Sequence, residues 1–199
     1  MAPPFTILHG IRDEDRMEAA RLYWLAFGSK LGRVLGPTAK ALRFVDLAMT
    51  PTHAFSALDA QGRLIGIAGY RTAKASFVGG DRHDLLAIYG PFGAMWRMGC
   101  LSVLSRDTER RAMIADGISV RPEARGQGVG AALINALCGE AQRRGYDQLR
   151  LDVVGENLRA KSLYQRMGFE VVNRHDSLMT AALFDFRSSF VMVRPVMCQ

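Results

Sequence analysis

Arg125-Gly126-Gln127-Gly128-Val129-Gly130 follows Ile118-Ser119-Val120, a run suited to a strand, and leads into Ala131-Ala132-Leu133, the start of an amphipathic stretch. Glycines at this junction let the backbone approach a ligand closely. Unpaired amides at a helix start, backed by the positive end of the helix dipole, make a ready seat for a diphosphate. Three readings fit the six residues: a glycine turn joining strand to helix, a dinucleotide fingerprint, and a diphosphate loop of another kind. Gly126-x-Gly128-x-x-Ala131 matches the dinucleotide pattern by letters, but Arg121 to Arg125, Pro122 among them, separate it from its strand, and no second nucleotide-binding half follows.

A second motif lies downstream: Asn157-x-x-Ala160-x-x-Leu163-Tyr164-x-x-x-Gly168-Phe169. At 100° per residue Asn157, Ala160 and Tyr164 fall within about 60° of one another on a helix, with Leu163 and Met167 toward the core. Gly168 suits a left-handed cap, and Phe169 returns the chain to a strand. Alone, this stretch also reads as an ordinary helix with a core tyrosine. Together, the two motifs resemble the GNAT superfamily of N-acetyltransferases, whose Q/R-x-x-G-x-G/A pattern is matched by Arg125, Gly128 and Gly130; the resemblance is close over roughly residues 112 to 170.

The resemblance implies an α/β (α+β) fold with a mixed, mostly antiparallel central sheet flanked by helices, and acetyl-coenzyme A as co-substrate. The implied cofactor-binding residues are Ile118, Ser119 and Val120 on the strand, Arg125, Gly126, Gln127, Gly128, Val129, Gly130 and Ala131 at the loop and helix start, and Asn157, Ala160 and Tyr164 on the following helix. It places the asparagine on the pantetheine arm, the tyrosine hydroxyl near the thioester sulfur, and the Val120 N–H on the carbonyl oxyanion. Acyl transfer to an amine needs a neutral amine, a stabilised oxyanion and a proton for the departing thiolate. Tyr164, with an ordinary phenol pKa of ~10, can supply that proton. Asp116, which by simple alternation shares a strand face with Ile118 and Val120, is the candidate base; attraction of a cationic amine, or a turn role before Gly117, fits it equally.

Outward from these motifs, Phe5–Ile11 alternates as a strand. Asp13 can cap a helix carrying Met17, Ala20, Trp24 and Phe27, expected to end near Gly28 or Gly32. Gly36–Met49 reads as a short helix, and Ala54–Leu58 with Leu64–Tyr70 as a hairpin across Asp59-Ala60-Gln61-Gly62. Ala112–Val120 is a strand, Gly126–Arg144 a helix and Gln148–Val154 a strand. Asn157–Met167 is a helix, Phe169–Asn173 a strand, and Phe184–Arg194 holds the last one. One domain over 1–199 is expected, with residues 74–110 inserted before the cofactor-binding strand. Within the insertion Leu85–Leu104 is apolar, but Arg97, Gly90, Pro91, Gly93 and Gly99 interrupt it, whereas a membrane span wants ~20 unbroken apolar residues. A buried or lid helix over the acceptor site, or a homodimer contact through Tyr89, Phe92, Met95, Trp96 and Met98, is the expectation.

The 199 residues are 49% hydrophobic and 23% charged, which suits a globular domain and excludes a disordered or fibrous chain. No secretory signal is seen at Met1–Gly10, so a cytoplasmic location is expected. Cys100, Cys138 and Cys198 have neither disulfide-framework nor metal-site spacing, and His9, His53, His83 and His175 are scattered, so no metal is expected. Of 26 basic residues all but Lys30, Lys40, Lys74 and Lys161 are arginine, and the net charge is +7. Anionic partners and a solvated basic surface explain that surplus equally. Without a basic helix or a basic run interleaved with aromatics, nucleic acid is not expected as a partner. An N-acetyltransferase acting on an amine of a small molecule, peptide or protein is the leading expectation, and a non-catalytic acyl-coenzyme A sensor is the alternative.

Overall fold

The structure, a computed structural model, describes residues 4–103 and 111–196; Cys198, Met1–Pro3 and residues 104–110 of the inserted segment lie outside them. Strands β1 Phe5–His9, β2 Ala54–Asp59, β3 Leu64–Arg71, β4 Ala112–Val120, β5 Gln148–Val154, β6 Glu170–Asp176 and β7 Ser188–Pro195 form one sheet. Their order is β1-β2-β3-β4-β5-β7-β6. Only β4 and β5 run parallel, so the sheet is mixed and mostly antiparallel, as the motifs imply. The β2–β3 hairpin closes on Asp59, whose Oδ1 accepts the Gln61 and Arg63 N–H groups at 2.9 Å, while Gly62 takes φ 76°.

The helices are α1 Arg16–Leu35, α2 Thr38–Ala48, α3 Arg82–Ser102, α4 Val129–Arg143, α5 Leu158–Arg166 and α6 Leu178–Phe184. α1 runs through Gly28 and Gly32, past the expected end. Each glycine costs about 1 kcal/mol in a helix, but Trp24 lies over Gly28, where a Cβ would come within 2.9 Å of its ring. The packing of Leu22, Tyr23, Val34 and Leu35 outweighs the propensity. Asp13 begins a short 3-10 turn, Asp13–Asp15, and does not cap α1. α3 is capped by a reciprocal Asp81–Asp84 pair and breaks at Gly90 (φ 71°) before Pro91. Its second half leaves Phe92, Met95 and Trp96 exposed. Among the described residues no helix is long and apolar enough to cross a membrane.

Apolar side chains gather on both faces of the sheet. One cluster packs α1, α2, α3 and α6 against it, with Tyr23, Phe44, Phe77 and Phe184 inside. The other seats α4 through Val129, Leu133, Ile134 and Leu137. At the far end of α4 the buried Glu140 accepts from Arg143 at 2.7 and 2.8 Å and from Arg144 at 2.5 Å. The Tyr70 hydroxyl joins this group, 3.3 Å from Glu140, and Arg144 donates to it at 3.0 Å. Burial alone would raise the Glu140 pKa; the hydrogen bonds from the two arginines outweigh it and hold the carboxyl at about 2, against an ordinary 4.5. A depressed carboxyl stabilises the fold above the unfolded value and loses that contribution as pH falls from 4.5 toward 2. With Arg143 65% exposed and its share discounted for solvent, Glu140→Gln is expected to cost roughly 2 kcal/mol at pH 7. Urea unfolding at descending pH should show the gap from the parent shrinking; a gap independent of pH would refute the assignment.

Candidate active site

β4 and β5 pair only through Ala112↔Gln148, Met113↔Leu149 and Ile114↔Arg150. Beyond that row β5 stays with β7 through Val154↔Ser189, while β4 stays with β3 through Val120↔Gly66, and the two parallel strands part. A cavity of about 600 Å³ fills the opening; Ile114 to Ile118 form one wall, Arg150 to Val154 the other, and Asn157 and Tyr164 stand at its end. Arg121 N–H donates to Ile65 O at 2.9 Å. Since alternate residues of an antiparallel strand face the same neighbour, Ser119 also bonds toward β3, and the amides of Ile118 and Val120 point away from it, into the gap.

The loop after β4 is tied down before it becomes exposed. The Arg121 guanidinium donates to Leu64 O at 2.7 Å and pairs with Glu18. Arg125 Nε donates back to Val120 O at 3.1 Å, and Gln127 to Glu123 O at 2.9 Å. Gly126 (φ 82°) and Gly128 (φ 85°) occupy left-handed conformations, and a Cβ on either would meet no atom within 4 Å. α4 begins at Val129 rather than Gly126, with Gly128 as its cap. Its first bond is Ala132 N–H to Gly128 O at 3.0 Å, so the amides of Val129, Gly130 and Ala131 have no acceptor within the helix. A Cβ at Gly130 would sit 3.5 Å from Leu163, which brings the glycine loop directly against α5. Open space above left-handed glycines and aligned amides fits a diphosphate, and the adjoining gap fits an extended arm leading to Tyr164.

Asn157 stands just outside α5 as its cap, accepting the Ala160 N–H at 3.2 Å, and it lines the cavity. Ala160 and Leu163 pack toward the core, and Gly168 takes the left-handed conformation read for it, φ 83°. The Tyr164 ring leans on Phe169 with centroids 5.9 Å apart. Burial pushes its phenol up to about 12, farther from a thiol than an ordinary tyrosine. Ser119 is buried and does not line the cavity, and the Val129 side chain belongs to the core.

Asp116 does line the cavity, but not by the alternation expected for it. β4 carries one extra residue opposite Gly69: Ile118 pairs with Ala68 and Ala115 with Tyr70. The bulge, made at Gly117 (φ 95°), reverses parity. Ile118 and Val120 face the α4 side, whereas Asp116 faces α1. There it lies 3.8 Å from Arg71 and receives the Val78 N–H, while its Oδ2 is buried without a donor among the described residues. Burial raises its pKa, and Arg71 and the Val78 amide oppose the rise. Residues that sequence reading missed also line the cavity: Lys30 from α1, Arg71 from β3, and Arg150 and Asp152 from β5. The strict alternation of β5 could have placed the last two on one face. Burial lowers the Lys30 pKa, opposed by Glu156. Among the described residues no group of three or more histidine, cysteine, aspartate or glutamate side chains could hold a metal ion.

A parallel strand pair parting over a glycine-rich helix start is the acyltransferase-type fold that the two sequence motifs imply. The model of the acetyltransferase (GNAT) family matches residues 17–169, about three quarters of the chain, and the chain belongs to that family. Over 58 residues it is 41% identical to thialysine N-epsilon-acetyltransferase of Bos taurus, covering 29% of this chain and 34% of that protein. It is likewise 41% identical over 58 residues to mycothiol acetyltransferase of Beutenbergia cavernae, covering 29% and 20%. The chain thus spans about a third or less of the curated relatives it matches. The crystal structure of histone acetyltransferase HPA2 and related acetyltransferase from Corynebacterium glutamicum superposes with a TM-score of 0.68 at 21% identity, over 98% of this chain and 99% of that one, and shows the same fold.

Proposed function

We propose that the protein transfers an acetyl group from acetyl-coenzyme A to a primary amine by direct attack. The observation that carries this reading is the opening of β4 from β5 beyond Ile114↔Arg150, with Tyr164 on the cavity wall and the glycine loop, with the free amides of Val129 to Ala131, packed against the same helix α5. The exposed amides and Arg125 hold the diphosphate. Ile118, Val120 and Asn157 offer hydrogen bonds to the arm in place of the missing strand, and the Val120 amide donates to the carbonyl oxygen as it gains charge.

The amine forms its bond to the carbonyl carbon as the carbon–sulfur bond breaks. Asp116, with a raised pKa and an undonated Oδ2, takes the amine proton directly or through one water. Tyr164 donates to the departing sulfur; its raised pKa keeps it protonated at every working pH. Of the inserted segment, Ser76, Val78, Gly79, Gly80 and Leu101 line the cavity, whereas Tyr89, Phe92, Met95, Trp96 and Met98 do not, so any cover over the acceptor comes from the former. The relatives' names mention acceptors as different as thialysine, mycothiol and histone, so they select no acceptor here.

Arg125→Ala tests the loop. Since Arg125 is exposed and its side chain, among the described residues, hydrogen-bonds to Val120 O, the variant should stay folded, with KM for acetyl-coenzyme A raised about tenfold, the worth of one charge-assisted hydrogen bond. An unchanged KM, or calorimetry in which the parent protein shows no heat with acetyl-coenzyme A, would overturn the reading.

A further inference from the structure

We propose that the acceptor is a primary amine carried on an uncharged, apolar body, which seats beneath α1 and α2 while its nitrogen meets Asp116. This inference rests on the acetyltransferase reading of the same site.

Asp116 faces α1, so the amine reaches it from that face of the sheet. The space there is walled by Phe27, Leu31 and Leu35 of α1, Phe44 and Val45 of α2, and Leu101 of α3. Phe27, Leu31 and Leu101 are only partly buried in the adjoining core, so they keep apolar surface that a ligand can cover. The wall begins beside the carboxylate: a Cβ at Gly117 would lie 3.0 Å from the Phe27 ring and 3.2 Å from that of Tyr23. Those two rings are themselves in contact, with centroids 4.7 Å apart. From Ala26 to Leu35 the α1 wall runs about 13 Å, room for a short hydrocarbon tail to lie along it.

The charged groups of the cavity balance one another. Arg71 lies 3.8 Å from Asp116 and Arg150 3.6 Å from Asp152, and the opposite charge of Glu156 acts on Lys30. An acceptor bearing a carboxylate or a second ammonium would have to break one of these pairings or bury its charge unmatched, and either is costly. Asp116 keeps Oδ2 without a donor among the described residues, which leaves one oxygen for one amine.

Recognition of the acceptor's body therefore falls to the apolar wall. Hydrocarbon taken out of water binds in proportion to its area, each buried methylene being worth about fourfold in affinity. An apolar wall with a few placed polar groups is also the ordinary form of a small-molecule site. An amine on a hydrocarbon body gains along the whole of α1, whereas one on a polar body gives up hydration to groups that already have partners.

The test measures free coenzyme A release by the intact protein across straight-chain amines from ethylamine to octylamine, each matched with the diamine and the terminal amino acid of equal length. Phenylethylamine is a further arm. kcat/KM should rise about fourfold per methylene until the wall is covered, and hexylamine should exceed its matched diamine and amino acid by a hundredfold or more. Phenylethylamine above or below hexylamine distinguishes an aromatic from an aliphatic body, and either supports the assignment. Ala26→Leu, which thickens the wall, should move the best chain length toward shorter amines. Leu31→Asn should flatten the rise, costing hexylamine tenfold more than ethylamine, and both variants should keep the parent KM for acetyl-coenzyme A. If Leu31→Asn does not fold, Ala26→Leu and the parent series decide. A flat series, or diamines or amino acids used as well as the alkylamines, would overturn the proposal while leaving the acetyltransferase reading intact. Binding of acetyl-coenzyme A with neither alkylamine nor phenylethylamine consumed would overturn it too. No binding of acetyl-coenzyme A at all would remove the reading itself.

Discussion

Tyr164→Phe is expected to turn over at a tenth of the parent rate or less, with KM for acetyl-coenzyme A little changed. The substitution deletes one hydroxyl and keeps the ring against Phe169, so neither fold nor cavity has cause to shift. The departing thiolate then leaves without a donor, and lost general-acid assistance typically costs 10²–10⁴-fold, less where water can substitute. Because burial holds the phenol at about 12, Tyr164 places no alkaline limb on the parent rate profile near neutrality. If Asp116 is the base, an acid limb is expected, shifted upward because burial raises its pKa, and it should persist in the phenylalanine variant. Steady-state thiol release across pH measures both; parent-like turnover in the variant would remove Tyr164 from the chemistry.

Gly69→Ala is expected to destabilise the protein by about 3 kcal/mol, the upper range for forcing a methyl into a full space. An added Cβ would lie 2.6 Å from the Asp116 carbonyl oxygen and 2.3 Å from Phe77 Cδ1. Rotating the phenyl ring relieves the second contact but not a further one with Phe77 Cβ, at 2.6 Å. The first is with backbone, and it yields only if the β3–β4 ladder opens at the bulge that aims Asp116. The variant should therefore lose activity even where it remains folded. A urea midpoint equal to the parent's would show that the ladder is more pliant than described.

The glycine-rich loop from Arg125 to Gly130 was legible as a strand-to-helix junction because its glycines sit where a strand pattern changes to a helical one, a local signal that tertiary packing does not alter. The Asn157 to Phe169 motif was legible for the same reason. The face of Asp116 was not: alternation along β4 fails at Gly117, and one glycine in a strand run does not announce whether it bulges until its partner strand is known. α1 was read too short because Gly28 looks like a stop unless Trp24 is seen to lie across it. α6, of seven residues, is shorter than two full turns of amphipathic pattern; the Ser177 side chain accepting the Thr180 N–H at 3.3 Å marks its start. Arg71 and Arg150 were overlooked because their kinship is across the sheet, through Ile114, and no spacing along the chain expresses it.

β6 ends the sheet with all seven of its residues exposed, Val171 and Val172 among them. A bare margin of this kind invites a stray strand to dock and propagate. Glu170, Arg174, His175 and Asp176 crowd that margin with mixed charge, and the kink between Val171 and Asn173 spoils its straightness. Pairing of chains through this edge is thus opposed by four polar side chains that do not line the cavity, and a variant stripped of them would be expected to clump while the cavity stayed whole.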